Sequence, residues 1–451
     1  MASLLSLSDD ALLAVLESLS LIERHSVLAL VCRRFRRLVN GSARLHATVD
    51  LCIGPERSKW PDDKKEEQRV WQQQLARIDS LVAWLAHHAA GSVRQLRLAA
   101  PGPFYQPASE AKQVATAVEA LVLQTSRPAC GISSGLTALA LADQAAFCPV
   151  APPTVAALSS LQRLMLMSKE QLEWCLPAVA LPQLQQLVLM GQPLVVPPAA
   201  HFPPSLTCLR LGSGYGPVGG VAVPPQVQQL TGLHTLGLYE VELDTDAVLP
   251  ASLRQLELSD VGYTHLNLTR LTTLESLMVK EMVDGAWGAV ADDLLVQAAS
   301  MRSLHALAWL WSYDSLQLPA GPLIGQLERL VINTKSVANN TAALAAATRL
   351  HTLGINFDGL YDHDRHGPGI WLDALHLPPL LPALRTLALG GTDACLSTVV
   401  QAIVGLQRRL PHLEISCHFG DSAEWDAEWC LLARCGFQAP WLEASFKDFI
   451  V

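Results

Sequence analysis

"LQQLVL", Leu184–Leu189, reads apolar, two variable residues, leucine, one variable residue, leucine. The same pattern recurs along the chain as "VRQLRL" at Val93, "LTALAL" at Leu136, "LQRLML" at Leu161, "LTCLRL" at Leu206, "LHTLGL" at Leu233 and "LRQLEL" at Leu253. It continues as "LESLMV" at Leu274, "LHALAW" at Leu304, "LERLVI" at Leu327, "LHTLGI" at Leu350, "LRTLAL" at Leu384 and "LPHLEI" at Leu410. That makes thirteen copies, most of them 20 to 30 residues apart; the wide gaps are 43 residues after Val93 and 34 after Leu350. "VEALVL" at Val118 either halves the first gap or ends a helix. Composition alone does not generate thirteen near-copies in order.

The spacing has a direct physical reading. In a strand, alternate residues share a face, so the fourth and sixth positions point one way and the first lines the same core. One such segment cannot bury its leucines by itself; stacked neighbours can. The period and consensus resemble the leucine-rich repeat, which implies an α/β solenoid: a curved horseshoe with a parallel sheet on its concave side. Proline-rich stretches such as "HFPPSL" and "VAVPPQV" predict extended returns over the convex side, whereas "AVADDLLVQAA" and "TVVQAIVGLQRRL" predict helical ones. Gln192, Val241, Val261 and Met282 stand where an Asn or Cys usually bonds the turn. Other groups must therefore satisfy those turns. The array is expected over 93–416, with 417–451 as a cap on the last core layer.

Residues between the inward leucines should face the concave side. Arg97, Met165, Arg210, Glu257 and Met278 stand there, followed by Ala308, Val331, Gly354, Ala388 and Glu414. Arg163 and Arg329 lie in the neighbouring column, and Tyr239 ends its strand. This mixed surface, small and apolar in its later half, suits a protein or peptide partner. Arg97, Arg163, Met165, Arg210, Tyr239, Glu257, Met278 and Arg329 are the candidate target-contacting residues. Trp309 is expected in an inward slot, with Trp311 beyond it.

Bulk properties narrow the function. Half of the 451 residues are hydrophobic and 16% are charged, a composition that raises the question of a membrane span. The longest charge-free stretch, Trp174 to Leu209, carries seven prolines, and proline at that density breaks a spanning helix. The N-terminus has no basic region before its apolar residues, so no secretory signal is expected; the Asn40, Asn267 and Asn339 glycosylation triplets then carry no weight. Ten scattered cysteines suit a reducing compartment, cytoplasm or nucleus. A net charge of −9 argues against a nucleic-acid binder. There is no glycine-rich phosphate loop opening a helix, no nucleophile elbow and no paired His–carboxylate motif, so no catalytic residue, metal or cofactor is expected. "GSGYGPVGG" (Gly212–Gly220) reads as a long turn, and "YDHDRHGPG" (Tyr361–Gly369) as a solvated loop, with a partner contact as its alternative. Cys430 and Cys435 read as buried thiols.

At the N-terminus, Ser8 precedes Asp9 and Asp10 and then Leu12, Val15, Leu16 and Leu19 at helical spacing, a capped amphipathic helix. A second helix leads from about Ile22 into "LVCRRFRRLVN" (Leu30–Asn40). On a wheel of about 100° per residue, Val31, Cys32, Phe35, Leu38 and Val39 share one arc. Arg33, Arg36 and Arg37 lie opposite as a solvated face with Arg34 at its edge, and Asn40-Gly41 ends the helix. A module this small predicts a docking partner. These residues resemble an F-box: Leu7, Asp10, Leu12, Leu13, Val15, Leu16 and Leu19 match its first half, and Leu28, Val31, Cys32, Arg33, Arg34 and Phe35 its second. The departures are Ser8 in place of proline and Phe35 in place of tryptophan. The resemblance implies a small all-α module over 1–50 that docks a Skp-type adaptor and, through it, a cullin. Leu7, Leu12, Val15, Leu16, Leu19, Leu28, Val31, Cys32 and Phe35 would form the docking face. Residues 51–92 are read as a first strand, "HATVDLCI", and one long helix that packs the module against the array. The whole chain then reads as a non-catalytic substrate-recognition subunit of a cullin-type ubiquitin ligase holding an unidentified protein target. The alternative is an interaction scaffold whose leading helices merely cap the array, burying Leu12, Leu16 and Val31 against it.

Overall fold

In the computed structural model the described residues are 8–17, 33–42, 45, 47–52, 64–88, 93–100, 113, 116–123, 135–143, 155–156, 158–168, 171–174, 181–191, 193–197, 200–212, 221–243, 248–259, 261–263, 266–280, 288–310, 316–319, 321–357, 381–391, 396–419 and 431–437. They belong to two compact units, Met1–Thr207 and Cys208–Val451.

The first unit opens with helices α1 (Asp9–Glu17) and α2 (Arg33–Gly41). Ser8 caps α1 as its sequence predicts: its Oγ accepts the Ala11 N–H at 3.2 Å. Two acidic residues follow in the first turn, where the helix dipole favours negative charge. Strand β1 (Thr48–Cys52) and the long helix α3 (Lys64–His88) come next. In α3, Ile78 is fully buried, and Leu75 and Val82, at helical spacing from it, are half-buried.

Five strands then stack in parallel: β1, β2 (Gln95–Ala100), β3 (Ala138–Asp143), β4 (Arg163–Ser168) and β6 (Gln186–Met190). Their lateral register follows the consensus. Val49, Leu96, Leu139, Leu164 and Leu187 stand side by side, as do Leu51, Leu98, Leu141, Leu166 and Leu189. The first set is fully buried. Strands β2 and β3 pair directly, and residues 116–123 are helical. "VEALVL" is thus the helix end, and the first wide gap is one long repeat. A short pair, β5 (Leu172–Glu173) with β7 (Leu194–Val195), lies in the returns.

The second unit repeats the arrangement with β8 (Cys208–Gly212), β10 (Thr235–Tyr239), β12 (Gln255–Ser259), β14 (Ser276–Lys280), β15 (Ala306–Leu310), β16 (Arg329–Asn333), β17 (Thr352–Asn356), β18 (Thr386–Gly391) and β19 (Glu414–Phe419). From β8 to β18, Leu209, Leu236, Leu256, Leu277, Leu307, Leu330, Leu353 and Leu387 form one buried row. Each such side chain contributes about 1.5–3 kcal/mol by leaving water. Trp309 takes its inward slot and is buried; Trp311 lies outside the described residues. A smaller parallel sheet in the returns joins β9 (Val221–Ala222), β11 (Val241–Leu243) and β13 (Gly262–Tyr263). "VAVPPQV" runs from β9 into a 3-10 helix at Pro225–Gln229, so this return is only partly extended. The helical returns stand at Gly288–Ala299 and Leu396–Arg409. The fold class read from the sequence, a parallel leucine-rich-repeat stack preceded by a small helical module, is the one observed.

Two expectations need correction. The last copy of the motif is out of phase. Ile415 stands beside Leu387 and Cys417 beside Leu389, so Leu413 serves as the first apolar position and one residue is missing before Ile415. Ser416, not Glu414, therefore stands beside Ala388. The stretch 417–451 is not simply an end cap either. Residues 417–419 complete β19, and Leu431, Leu432, Cys435 and Phe437 pack in one cluster with Met278, Ala306, Ala308, Leu310, Val331 and Ala388. Those sheet residues alternate with the inward row, so the segment lies on the face opposite the leucine core. Residues 420–430 and 438–451 lie outside the described residues.

At the head of four strands a further set of hydrogen bonds links neighbouring repeats. A Ser or Thr just before the first apolar position donates to the backbone carbonyl of the preceding repeat. Ser205 donates to Leu184 at 2.7 Å, Ser252 to Leu233 at 2.8 Å, Thr273 to Leu253 at 2.8 Å and Ser303 to Leu274 at 2.7 Å. Their sequence signal was present as Ser-Leu or Thr-Leu at the head of these repeats. Val241 and Val261, where Asn or Cys is usual, are simply buried.

Candidate protein-interaction surfaces

Among the described residues of the N-terminal module, the two helices pack on one another. Leu12 and Leu16 of α1 pack with Phe35, Leu38 and Val39 of α2 and with Leu45, and Leu13 leans on the cluster. The docking face expected to include Leu12, Leu16 and Phe35 is therefore the module's internal core. They are buried against the module itself, whereas a cap would bury them against the repeats. Val15, one step around α1, is 43% exposed, and Ala14 beside it is also open. Leu7, Leu19, Leu28, Val31 and Cys32 lie outside the described residues.

The arginines of α2 are not all solvated. Arg34 donates from Nε and Nη2 to Asp9 Oδ1 at 2.9 and 2.6 Å, and Arg37 reaches Asp9 Oδ2 at 3.2 Å. The hydrogen bond from Arg34 is the main cause that holds the Asp9 carboxyl below its ordinary range, aided by both positive charges. Asp9 thus ties the start of α1 to α2, while Arg33 and Arg36 remain exposed.

On the outer face of the first sheet, Met165 is fully buried with its neighbours Ala140 and Val188. Arg97 and Arg163 are half-buried on either side of β3. Burial, and then the Arg97 charge, pulls Arg163 below the ordinary arginine range. Among the predicted target-contacting residues of this unit, Arg97 and Arg163 are the ones that are not fully buried.

The second unit holds a closed polar network on the same face. Arg210 and Glu257 both stand opposite Gly237, on the strands either side of it, about 10 Å apart across two strand spacings. Arg210 nevertheless reaches Glu257 through two hydrogen bonds, Nε to Oε2 at 2.9 Å and Nη2 to Oε1 at 2.8 Å. Tyr239 adds a third, donating to Oε2 at 2.6 Å. Gly237 makes this possible: a Cβ there would lie 2.8 Å from Arg210 Cγ and 2.9 Å from Tyr239 Cε2. All three polar residues are buried. Burial opposes the Arg210 charge, but the Glu257 carboxylate outweighs it and holds the guanidinium well above the ordinary range. Burial, then Glu257, pushes the Tyr239 hydroxyl well up. These residues, expected to contact a target, instead satisfy one another.

The later half of the face is apolar and covered by residues 431–437. Met278, another candidate contact, is inside that cluster. Arg329 donates from Nη1 to the Gly436 carbonyl and sits 5.5 Å from the Phe437 ring centroid. Cys435, expected as a buried thiol, is one, and burial pushes it up to about 12. Cys430, the "YDHDRHGPG" loop and residues 213–220 of the glycine-rich turn lie outside the described residues. Among the described residues no cluster of His, Cys, Asp and Glu could hold a metal, and no helix is long and apolar enough to cross a membrane.

Comparison with known proteins is informative at the N-terminus. The F-box domain family model matches residues 4–46, the span whose described part is α1, α2 and Leu45. No curated protein matches the chain. Among solved structures, the chain is similar to one in the crystal structure of the mouse RP105/MD-1 complex, at 15% identity and a TM-score of 0.33. The match covers 71% of this chain and 59% of that one.

Proposed function

We propose that this chain is a non-catalytic substrate-recognition subunit of a cullin-type ubiquitin ligase, acting in the cytoplasm or nucleus. The observation that carries the reading is the F-box match over residues 4–46, on a module that completes its own core and still presents Val15 outward. In this reading the module docks a Skp-type adaptor, which brings the cullin, and the repeats hold a target protein. The target's first contacts are Arg97 and Arg163, which favours an acidic patch on the partner. The chain itself makes or breaks no bond.

Co-purification with a Skp-type adaptor tests the first half. Val15→Asp is the informative substitution, because an exposed position leaves stability within about 0.5 kcal/mol while placing a charge on the docking side. It should lower adaptor affinity at least tenfold with an unchanged melting temperature. Leu16→Asp should lose binding together with the fold of the module. A wild-type chain that captures no adaptor would remove the proposal. The target side is tested by Arg97→Glu with Arg163→Glu, which should deplete ubiquitin-dependent partners in proximity labelling and leave adaptor capture intact.

A further inference from the structure

We propose that the outer face of β14–β18 is a docking groove for a short apolar helical segment, occupied in cis by residues 431–437, and that a target segment of the same chemistry must displace them. The inference rests on the reading of the repeats as the target-holding part of the chain.

The groove combines small side chains with Met278, Leu310 and Val331. Ala306, Ala308 and Ala388 line it beside Met278 and Val331, and Gly354 lies in the same row between Val331 and Ala388. Gly354 is where the occupant fits most closely: a Cβ there would stand 2.7 Å from Cys435 Sγ. The occupant offers Leu431, Leu432, Cys435 and Phe437 to the sheet and leaves Ala433, Arg434 and Gly436 exposed. Leu431 and Leu432 are helical residues, and Cys435 and Phe437 follow in the turn that ends the helix at Gly436, whose φ is 73°. Arg329 completes the seat at the Gly436 carbonyl and the Phe437 ring.

Removal of the segment uncovers Leu431, Leu432 and Phe437 together with Met278, Leu310 and Val331 of the sheet, so a displacing target must bury a comparable apolar face. The strands are held by their inward leucine row, which the segment does not touch. A longer target helix that keeps its shape when free pays less ordering entropy on entry.

The test uses the full chain and a fluorescent peptide of residues 428–440, with anisotropy as readout. Leu432→Asp expels the cis segment, since an aspartate cannot be seated among alanines without a partner. The Leu432→Asp chain should bind the peptide at least tenfold more tightly than the wild-type chain. Adding Gly354→Leu, which fills the groove, should abolish that binding. In an independent measurement, mass-resolved thiol labelling of Cys435 should accelerate at least tenfold in the Gly354→Leu chain. Phe437→Asp serves as the expelling variant if Leu432→Asp does not fold. Overturning results are a folded expelled variant that ignores the peptide, equal peptide binding by the wild type, or unchanged Cys435 labelling. Adaptor capture measured on the same proteins reports on the N-terminal module alone, so its failure would count against the proposed function and not against the groove.

Discussion

In the second unit the face of the strands opposite the leucine row is closed in two ways. At β8–β12 a glycine makes room for an ion pair that spans two strands. At β14–β18 a glycine in the same column makes room for a cysteine from a segment far along the chain. The first closure is polar and internally satisfied, so nothing needs to come from elsewhere. The second is apolar and depends on residues about a hundred positions downstream, as with Arg329 and Gly436. A missing side chain therefore has opposite meanings along one row: it seals the surface at Gly237 and creates a seat at Gly354.

Substitution at Arg210 should have the largest effect. Arg210→Met leaves Glu257 buried without its counter-charge, a loss of about 3–5 kcal/mol, read as a shift of the urea midpoint. Replacing Glu257 and Tyr239 as well, by Met and Phe, should recover much of that loss, because no buried polar group is then stranded. No recovery would mean that the pair itself, not its desolvated remnant, carries the stability. Next come the two glycines. Gly237→Ala forces an added methyl between Arg210 and Tyr239 and should cost about 1–3 kcal/mol. Gly354→Ala should cost roughly 1 kcal/mol and be accompanied by faster thiol labelling of Cys435, because the segment yields before the strand does. Equal costs and an unreactive Cys435 would erase the distinction between the two closures. Ser252→Ala, which strands the Leu233 carbonyl, should cost about 1 kcal/mol and act on the stack without touching either closure.

The smallest effect contrasts the buried pair with the exposed one. Asp9 is held below its ordinary range by Arg34 and Arg37, so its contribution is present above the unfolded carboxylate value and fades as pH falls through the lower folded value. Thermal melts of the wild type and Asp9→Asn should differ slightly at pH 5 and converge below the ordinary carboxylate range. Added salt should shrink the difference, as expected for an exposed pair. The buried Arg210–Glu257 pair should respond less to added salt.

The inward leucines were legible in advance because alternation along a strand is a local property: Leu96, Leu139, Leu164 and Leu187 each declare their face within six residues. The Ser8 cap and helix α3 were legible for the same reason. The last repeat misled because Leu410, Leu413 and Ile415 fit the motif in one phase, while the strand beside it pairs in another. Leu12, Leu16 and Phe35 were placed on a docking face because a helical wheel shows which residues are apolar, not what covers them; the answer came from α1 meeting α2. Spacing along the chain thus determined the repeat stack, its strand positions and the existence of a small helical module. Only the tertiary structure decided which outward residues remain available to a partner. Sequence periodicity encodes the direction of a side chain, whereas its occupancy depends on neighbours brought together across strands and from distant segments, as at Arg210 with Glu257 and Gly354 with Cys435.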